Sequence, residues 1–473
     1  MASLFIGGTS SNAGKSWVTT AVCAWLRSQG VRVAPFKAQT MSNHSFPCID
    51  GGEIGRAQVS QAEACGLEPE SAMNPILLKP NTDGTSQVIV RGRVWKTLSA
   101  REYYDAIPEL RREVLAAYDD LASRFDVVIA EGAGSVTEIN LRRHDLVNLW
   151  LVLERAIPWI LVADIERGGV FGAVAGTMAL LQAPERDLFR GVLINKFRGD
   201  AALFDEGRAL IETQCGAPCL GVWPFAPGVS LAAEDSLAVS TAPTAAAPPG
   251  ASIGIVGLPT LSNGTDFSLL TWAEWISAPV DRVYDVVVLP GTKDTLGALR
   301  WLRERGLDTW VHWQYVQGAR IIGVCGGYQI LGEVIRDPGA HDGGGGEAPG
   351  LGLLPVETLI AAEKTTERRR ATTPGGASFD AYEIHLGVTT HREPLDSFCQ
   401  LEDGSPEGAR LGRVSGTYLH GALEHAVVCE ELFGVPVKPA PSRAHGHHAL
   451  AEWLARDLGE RAEWLTSLAL RNA

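Results

Sequence analysis

A glycine-rich turn near the N-terminus constrains the fold of this chain more than any other stretch. Residues 4–6 form a short apolar run that predicts a β-strand, and residues 7–14 form a turn rich in Gly and Ser. Lys15 and Ser16 then open a segment with the apolar spacing of an amphipathic helix. Backbone N–H groups at such a turn, together with the positive end of the helix dipole, attract a phosphate group. Because Lys15 adds a mobile charge and Ser16 a hydroxyl that can hold Mg²⁺, the stretch predicts a nucleotide site rather than a surface turn.

Length and composition predict two or three globular domains. The chain has 473 residues, of which 45% are hydrophobic and 20% charged, as in soluble globular proteins. It has no apolar run long enough to span a bilayer, and its N-terminus lacks the pattern of a signal peptide. The net charge of −14 argues against a nucleic-acid partner, and the eight cysteines form no C-x-x-C pair. We therefore expect a cytoplasmic protein that binds neither membranes nor nucleic acid.

Apolar strands that end in polar residues alternate with helical stretches through the first half. Strands are predicted near residues 31–37, 125–130, 158–164 and 191–195. This alternation predicts a doubly wound parallel sheet, whose strands collect polar side chains at their carboxyl ends. Glu131 follows one of these strands, where it could bind the Mg²⁺ of a nucleotide or simply belong to an ordinary turn.

A second chemical signal lies at Cys325. An apolar strand delivers this cysteine into a Gly-flanked turn, and a helix follows, as at a nucleophile elbow. The backbone N–H groups of Gly326 and of the Gly291 region could form an oxyanion hole. His420, at the end of another predicted strand, is the candidate base. A buried structural thiol is the alternative for an isolated cysteine, but the G-x-C-G-G context favours a nucleophile.

The chain divides at a stretch rich in Pro, Ala and Thr. We predict a linker at residues 240–251, between a P-loop α/β domain at residues 1–239 and a second α/β domain at residues 252–435. Residues 436–473 are predicted to form a C-terminal helical segment. The composition of residues 339–350 and 365–376 predicts flexible surface loops.

Six blocks of the first half resemble the cobyric acid synthase family, in the family's order. They are KAQ at 37–39, DGGEIGRAQ at 50–58, MNPILLKP at 73–80, EGAG at 131–134, VADIERGGVF at 162–171 and NKFRGD at 195–200. The glycine-rich turn has five residues between Gly8 and Gly14 instead of the usual four, which resembles the loop of dethiobiotin synthetase. The resemblance extends over about residues 3–435. It implies ATP- and glutamine-dependent amidation of the b, d, e and g carboxylates of cobyrinic acid a,c-diamide through an acyl phosphate.

The resemblance also implies roles for residues of the first half. The triphosphate of ATP would be held by the glycine-rich turn, through Gly8, Thr9, Gly14, Lys15 and Ser16. Lys37 would approach the γ-phosphate, and Asn195 would contact the adenine edge. Asp50 and Glu131 would share Mg²⁺ with Ser16.

The second half resembles a class I glutamine amidotransferase domain. Cys325 would attack the amide of glutamine and His420 would move protons, while Gly291, Gly326 and Gln329 would bind the substrate. Most class I enzymes place a glutamate two residues after the histidine, where this chain has Ala422. Glu424 is four residues beyond the histidine, so the prediction is limited to a Cys325–His420 dyad.

Two other functions remain open from the sequence. One is a sibling ligase that amidates the a and c positions of the corrinoid, which the block at 50–58 disfavours. The other is a partitioning-type ATPase switch, which would have no need of a thiol elbow. We expect the corrinoid to bind a broad, shallow surface beside Asp50 and Glu131, from which partly amidated product is released between steps.

Overall fold

Two largely parallel α/β sheets, one in each half of the chain, form the framework of the molecule. A computed structural model describes residues 2–225, 243, 245–439, 443–458 and 467. Part of the predicted linker, at residues 240–242 and 244, lies outside the described residues. The predicted α/β fold class is confirmed.

The first half contains a sheet of parallel strands with the glycine-rich turn at its centre. The bounds of its strands and helices are β1 Ala2–Gly8, α1 Lys15–Ser28, β2 Val33–Phe36, β3 Gln39–Met41, β4 Ser45–Pro47, β5 Glu53–Gly55, α2 Arg56–Cys65, β6 Ile76–Pro80, β7 Thr85–Val90, β8 Arg93–Ser99, α3 Ala100–Arg124, β9 Val127–Glu131, α4 Leu149–Arg155, β10 Trp159–Asp164, α5 Val170–Leu180, α6 Ala183–Asp187, β11 Phe189–Phe197, α7 Asp205–Cys215 and β12 Cys219–Pro224. In the described chain, six parallel strands lie in the order β12-β11-β10-β1-β9-β2. Ile6 lies beside Glu131 of β9, and Gly8 beside Val162 of β10. The turn after β1 therefore emerges between the carboxyl ends of β9 and β10.

Helices cover both faces of this sheet, which explains why its central strands are apolar throughout. Helices α3, α4, α5 and α7 contribute buried side chains to one face, and α1 to the other. A smaller sheet, in the order β3-β6-β7-β8, adjoins them. Since β1 and β9 are buried along their whole length, they have no solvent-facing side.

A C-terminal helix, α12 at Arg443–Leu458, returns to the first sheet. Its residues Leu450, Trp453 and Leu454 form an apolar stripe at helical spacing and are buried in the same core as α1. The ring of Trp453 meets those of Trp17 and Trp223 edge-on, at centroid distances of 4.5 and 4.7 Å. The end of the chain thus stabilises the helix that follows the glycine-rich turn.

The second half builds its own sheet around Cys325. The bounds of its strands and helices are β13 Ile253–Val256, β14 Glu274–Ile276, β15 Val286–Leu289, α8 Thr295–Glu304, α9 Leu307–Val316, β16 Arg320–Val324, α10 Gly326–Leu331, β17 Val334–Asp337, β18 Gly346–Pro349, β19 Val356–Thr372, β20 Ser378–His391, β21 Cys399–Leu401, β22 Pro406–Glu407, β23 Ala409–Leu411, β24 Val414–Thr417 and α11 Ala426–Phe433. The strands β14-β13-β15-β16-β24 are parallel, and β23 adds an antiparallel edge. Because β16 and β24 are neighbours, their carboxyl ends bring Cys325 and His420 to one edge of the sheet.

A long antiparallel hairpin, formed by β19 and β20, extends from this domain. The prediction of a flexible loop at residues 365–376 is wrong, because residues 365–372 belong to β19 and pair with β20. The many charged residues of β19 give this segment the composition of a loop, so the sequence pattern did not indicate a strand. Arg369, for example, crosses to Glu383 on β20 at 2.6 Å, which satisfies charge within the hairpin. The other predicted loop, at 339–350, contains the short strand β18.

Buried polar contacts join the two halves. The Ser45 N–H donates to the Asn263 side chain at 2.9 Å, and Arg56 pairs with Glu424 at 3.0 Å. Lys364 of the hairpin pairs with Glu53, which also accepts from Lys79 at 2.6 Å. No helix in the described part of the chain is long and apolar enough to cross a membrane.

Candidate active sites

The glycine-rich turn is a compact loop held by its own lysine. Lys15 is buried, and its Nζ donates to the carbonyl of Ser10 at 3.0 Å and to that of Gly134 at 2.8 Å. A Cβ on Gly8 would lie 2.8 Å from the Lys15 side chain, and one on Gly14 would lie 2.0 Å from Asn195 Nδ2. Gly14 also has a φ of 98°, a conformation that favours glycine. Both glycines are therefore needed for the shape of the loop.

Glu131 gathers the polar side chains next to this loop. Its Oε1 accepts from Ser16 Oγ at 2.7 Å and from Lys37 Nζ at 3.0 Å, and its Oε2 accepts from Gln61 Nε2 at 2.5 Å. The structure thus brings together Ser16, Lys37 and Glu131, as the sequence predicted. Gln61 was missed. The sequence feature that could have identified Gln61 is a pair of polar residues one helical turn apart, Gln58 and Gln61, on a helix of mostly small residues.

The Ser16–Glu131 pair suits a magnesium ion. A hydroxyl and a carboxylate are hard oxygen ligands, and Mg²⁺ in nucleotide sites commonly takes one or two protein ligands besides phosphate and water. The described residues contain no group of three or more His, Cys, Asp or Glu side chains that could hold a metal. The donor set therefore fits an ion shared with a nucleotide.

Asp50 is held by hydrogen bonds from Ser71 and Gly52. Its Oδ2 accepts from the Ser71 N–H at 3.0 Å and from Ser71 Oγ at 2.6 Å, while Oδ1 accepts from the Gly52 N–H at 3.3 Å. Among the described hydrogen bonds, none connects Asp50 with Ser16 or Glu131. Its carboxylate instead ties the loop between β4 and β5 to the short helix at Ser71–Met73. The role of Asp50 in holding Mg²⁺ together with Ser16 and Glu131 remains a prediction.

Asn195 contacts the glycine-rich turn from the side of β11. Its Nδ2 donates to the Ala13 carbonyl at 2.9 Å, so the side chain holds the turn just before Gly14. The contact of Asn195 with adenine remains a prediction. Thr9 lies within the turn, where its N–H donates to the Val162 carbonyl at 3.0 Å.

Cys325 has the backbone of a nucleophile elbow. Its φ of 50° and ψ of −111° lie outside the regions that non-glycine residues usually adopt, between the end of β16 and the start of α10. A Cβ on Gly327 would lie 2.0 Å from the Leu289 carbonyl oxygen, so the helix can approach the sheet only with glycine there. The Cys325 N–H donates to the Thr417 carbonyl at 2.7 Å. Tight packing on both sides thus maintains the strained turn.

His420 is paired with an acid that the sequence did not indicate. Asp266 Oδ2 lies 2.7 Å from His420 Nδ1, and Asp266 Oδ1 accepts from the Gly421 N–H at 2.7 Å. Both side chains are buried. The two residues are 154 positions apart, and no spacing rule links them. Glu424, the sequence candidate for a third acid, pairs with Arg56 instead.

The charges around His420 favour its protonated form. Burial alone would lower the pKa of His420, but the negative charges of Asp266 and of a Cys325 thiolate raise it to about 10. A hydrogen bond with the Cys325 side chain also raises the pKa of His420. The arrangement can therefore hold a thiolate–imidazolium pair oriented by Asp266.

The predicted glutamine-binding residues lie around this pair. A Cβ on Gly291 would lie 2.7 Å from the His420 ring, and one on Gly326 would lie 2.5 Å from Thr292. Gln329 Oε1 accepts from Thr295 Oγ1 at 2.9 Å, and its Nε2 lies 3.4 Å from Tyr418 Oη. The role of these three residues in binding glutamine remains a prediction.

A small cavity of about 30 Å³ adjoins Cys325 and reaches the other domain. Its lining includes Gln329 and Asp342 from the second half, and Asn43 and Lys79 from the first. Its volume holds about one water molecule, so the binding of glutamine requires a movement of its wall. Asp342 accepts from the Thr295 N–H at 3.1 Å and from Lys293 Nζ at 3.1 Å, which fixes this part of the wall.

Three buried polar atoms of the first half, Asn43 Oδ1, Gln58 Nε2 and Gln61 Oε1, lack a hydrogen-bond partner in the described part of the chain. Asn43 lines the cavity at Cys325, whereas Gln61 donates to Glu131. Orphaned buried polar groups are uncommon in proteins, so these atoms mark an interior suited to a small polar molecule.

Known families match both halves of the chain. The family described as the CobQ/CobB/MinD/ParA nucleotide binding domain matches residues 4–239. The family described as the CobB/CobQ-like glutamine amidotransferase domain matches residues 252–427.

Three curated relatives match nearly the full length of the chain, and each bears the name cobyric acid synthase. The relative from Mycolicibacterium vanbaalenii is 45% identical over 93% of this chain and 91% of its own. That from Cutibacterium acnes is 44% identical, with coverages of 90% and 88%. That from Parabacteroides distasonis is 41% identical, with coverages of 90% and 89%. The chain therefore belongs to the cobyric acid synthase family.

Proposed function

We propose that this chain amidates the b, d, e and g side-chain carboxylates of cobyrinic acid a,c-diamide, with ATP as the activating substrate and glutamine as the nitrogen donor. The observation that carries the proposal is the presence of two complementary sites in one chain. One is a phosphate-binding turn with Glu131 beside it, and the other is a cysteine elbow with His420 and Asp266. A carboxylate is a poor electrophile, so it needs activation by ATP, and free ammonia is scarce at neutral pH, so it needs a local source. The two sites supply these two requirements.

At the second site, the Cys325 thiolate attacks the amide carbon of glutamine and forms the new carbon–sulfur bond. The resulting oxyanion is stabilised by backbone N–H groups of Gly326 and Gly291. The His420 imidazolium gives its proton to the leaving nitrogen, which departs as ammonia and leaves a thioester. Neutral His420 then takes a proton from water, which attacks the thioester and releases glutamate. Asp266 keeps the ring oriented throughout.

At the first site, a side-chain carboxylate of the corrinoid attacks the γ-phosphorus of ATP and releases ADP. Lys15 and Lys37 would neutralise charge on the transferring phosphoryl group. Ser16 and Glu131 would hold Mg²⁺, which supplies charge neutralisation to the phosphates. Ammonia then attacks the acyl phosphate, and inorganic phosphate leaves as the amide forms.

Ammonia must travel from one site to the other. We propose that it leaves through the cavity lined by Asn43 and Lys79, and passes Gln58 and Gln61 toward Glu131. Support comes from the buried polar atoms of Asn43, Gln58 and Gln61 that are unpartnered among the described residues, and from the ion pairs that join the halves, Arg56–Glu424 and Lys364–Glu53. Transfer inside the protein would keep ammonia unprotonated.

The organisation that we propose keeps a P-loop domain at residues 1–239, a linker at 240–251, a glutamine amidotransferase domain at 252–435 and a C-terminal segment at 436–473. The family matches at 4–239 and 252–427 support the two main units. We further propose that the protein is cytoplasmic and that its partners are small molecules.

Mass spectrometry of the reaction products tests the function. Cobyrinic acid a,c-diamide incubated with the protein, ATP, Mg²⁺ and glutamine should gain four amide groups. The same incubation with cobyrinic acid distinguishes the sibling function, which would convert the a and c carboxylates. Conversion of cobyrinic acid to its a,c-diamide, without reaction of the diamide itself, would contradict the proposal.

A further inference from the structure

A large cavity adjoins the phosphate-binding turn. Its volume is about 570 Å³, within the range of roughly 300–1,000 Å³ that is typical of small-molecule sites. Residues 133–136, which follow Glu131, form one wall. The Gly134 carbonyl in this wall accepts from Lys15, and Glu131 accepts from Ser16. The cavity and the phosphate site are therefore built on the same short segment.

The cavity lies on the side of the phosphate-binding turn that Glu131 contacts. Asn195 contacts the phosphate-binding turn from the β11 side, and Glu131 contacts it from the β9 side. Because the cavity begins beyond Glu131, it adjoins the end of the turn at which we propose that Mg²⁺ and the γ-phosphate bind. A molecule in the cavity can thus present a carboxylate to the phosphorus atom without displacing the nucleotide.

The walls of the cavity are mainly apolar and partly exposed. Tyr104, Leu141 and Leu153 all line it, and each is exposed over about two-fifths of its surface. The ring of Tyr104 stacks on that of His144 at 4.4 Å, with 17° between their planes, which gives the mouth a flat surface. Large apolar side chains that share one cavity and remain exposed are typical of a binding site.

Polar groups of both signs interrupt this apolar wall. Arg142 and His144 lie at one side, and Glu138 and Glu185 lie near them. Arg142 is held in place by the Leu180 carbonyl and by Glu185. A ligand with a flat apolar body and a rim of both carboxylates and amides matches this pattern.

We infer that this cavity binds the corrin macrocycle of the substrate, with a face of the ring against Tyr104 and Leu141 and one peripheral carboxylate directed toward Lys15. The inference rests on the proposed function. The location differs from the surface beside Asp50 that we expected from the sequence, because no residue of the loop around Asp50 lines the cavity. An open mouth allows the macrocycle to leave and return in another orientation, so one phosphate site can serve four carboxylates.

The short helix at Ile139–His144 offers a matched pair of variants. Leu141 lines the cavity and is 40% exposed, whereas Ile139 is 52% exposed and does not line it. A carboxylate at position 141 would oppose an apolar ring, but the same change at 139 would face solvent. The Kd of cobyrinic acid a,c-diamide, measured by equilibrium dialysis from its visible absorbance, should rise at least tenfold in Leu141→Glu. It should stay within twofold in Ile139→Glu.

The Kd of ATP is the control. It shows whether each variant is folded, and whether the cavity binds the corrinoid or the nucleotide. It should stay within twofold of the parent in both variants. Leu153→Glu changes another residue of the lining, on helix α4, and should repeat the effect of Leu141→Glu on the corrinoid if the first variant fails to fold. Unchanged corrinoid binding in the cavity variants, or an equal loss of ATP binding, would overturn the inference.

The outcome separates this inference from the proposed function. A parent protein that amidates no corrinoid would refute the function itself. A parent that amidates the diamide, with an unchanged corrinoid KM in Leu141→Glu and Leu153→Glu, would refute only the location of the ring.

Discussion

Asp266 favours the charged form of His420. Its carboxylate fixes one ring nitrogen at 2.7 Å and also holds the backbone that follows the histidine. Because the pKa of His420 is raised to about 10, its ring is an imidazolium at neutral pH. The stability that the pairing of this imidazolium adds to the folded protein is fully present below the ordinary histidine pKa of about 6.5. Both are lost as the pH rises through about 10. The site is therefore charged over the whole neutral range.

Replacement of Asp266 tests this role. Asp266→Asn should lower glutamine hydrolysis by about a hundredfold or more, because the imidazolium loses its counter-charge and its orientation. The pKa of His420 should fall, so the alkaline decline of the hydrolysis rate should begin at a lower pH than in the parent. Steady-state rates of glutamate release across the pH range measure both effects.

Glu424→Gln is the matched control for Asp266→Asn. Glu424 contacts Arg56 and not His420, and glutamine at this position keeps an oxygen that can accept from Arg56, so the variant should leave glutamine hydrolysis within about threefold of the parent. Equal losses in the two variants would mean that Asp266 has no special role in the glutaminase site.

Lys15 supplies charge at the other site. Lys15→Ala should lower amidation by on the order of a hundredfold or more, whether glutamine or a concentrated ammonium salt provides nitrogen. Glutamine hydrolysis by the same variant should continue, since Cys325 lies in the other domain. Amidation within twofold of the parent would show that the γ-phosphate does not bind at this turn.

At the scale of elements, α12 supports the phosphate-binding half. Trp453→Ala should destabilise the protein by about 3 kcal/mol or more, because it empties the space between Trp17 and Trp223. Such a loss lowers the Tm by roughly 6 °C or more. Glu452→Ala changes the neighbouring, exposed position of the same helix and should leave the Tm within about 1 °C. An unchanged Tm in Trp453→Ala would show that the helix adds no stability.

The sequence predicts elements whose pattern is local. The strands that end near Lys37, Glu131, Asp164 and Asn195 are apolar runs buried on both faces, so they were found with nearly correct bounds. The strand β19 was missed because its charged residues satisfy one another across the hairpin, and composition alone suggests a loop. Asp266 and Gln61 were missed because their partners are set by the packing of distant segments. Rules based on residue spacing cannot predict contacts between residues that are so distant in the sequence.

At the scale of the whole molecule, a buried ion-pair group connects the two halves. Burial alone would raise the pKa of Glu53, but Lys364 and Lys79 together lower it to about 2. This carboxylate stays ionised, and the stability that its lowered pKa adds is lost as the pH falls from its ordinary range through about 2. Lys364 belongs to the second half, whereas Lys79 also lines the cavity at Cys325. The same group thus holds the halves together and borders the proposed ammonia route.

Removal of Lys364 should loosen this junction. In Lys364→Ala, we expect the number of glutamines hydrolysed per amide formed to rise at least twofold, because ammonia escapes between the halves. Amidation with ammonium salt should change little. Arg370→Ala, which removes an exposed charge from the same hairpin, is the control and should leave the ratio unchanged. A ratio in Lys364→Ala equal to that of the parent would argue against a route at this junction.

Cys325→Ser separates the activities of the two halves. The variant should lose amidation from glutamine, because the serine hydroxyl replaces the thiolate, and should keep amidation from concentrated ammonium salt at high pH. A folded variant that ammonium does not rescue would mean that the activities are not divided between the two sites.

The most direct test of coupled sites is a competition between two nitrogen sources. The protein is given cobyrinic acid a,c-diamide, ATP, glutamine labelled with ¹⁵N in its amide group, and an excess of unlabelled ammonium at neutral pH. Mass spectrometry then measures the label in the product. If ammonia passes inside the protein from Cys325 to the acyl phosphate beside Glu131, all four new amides carry ¹⁵N. Label diluted in proportion to the free ammonium would contradict the coupling of the two sites.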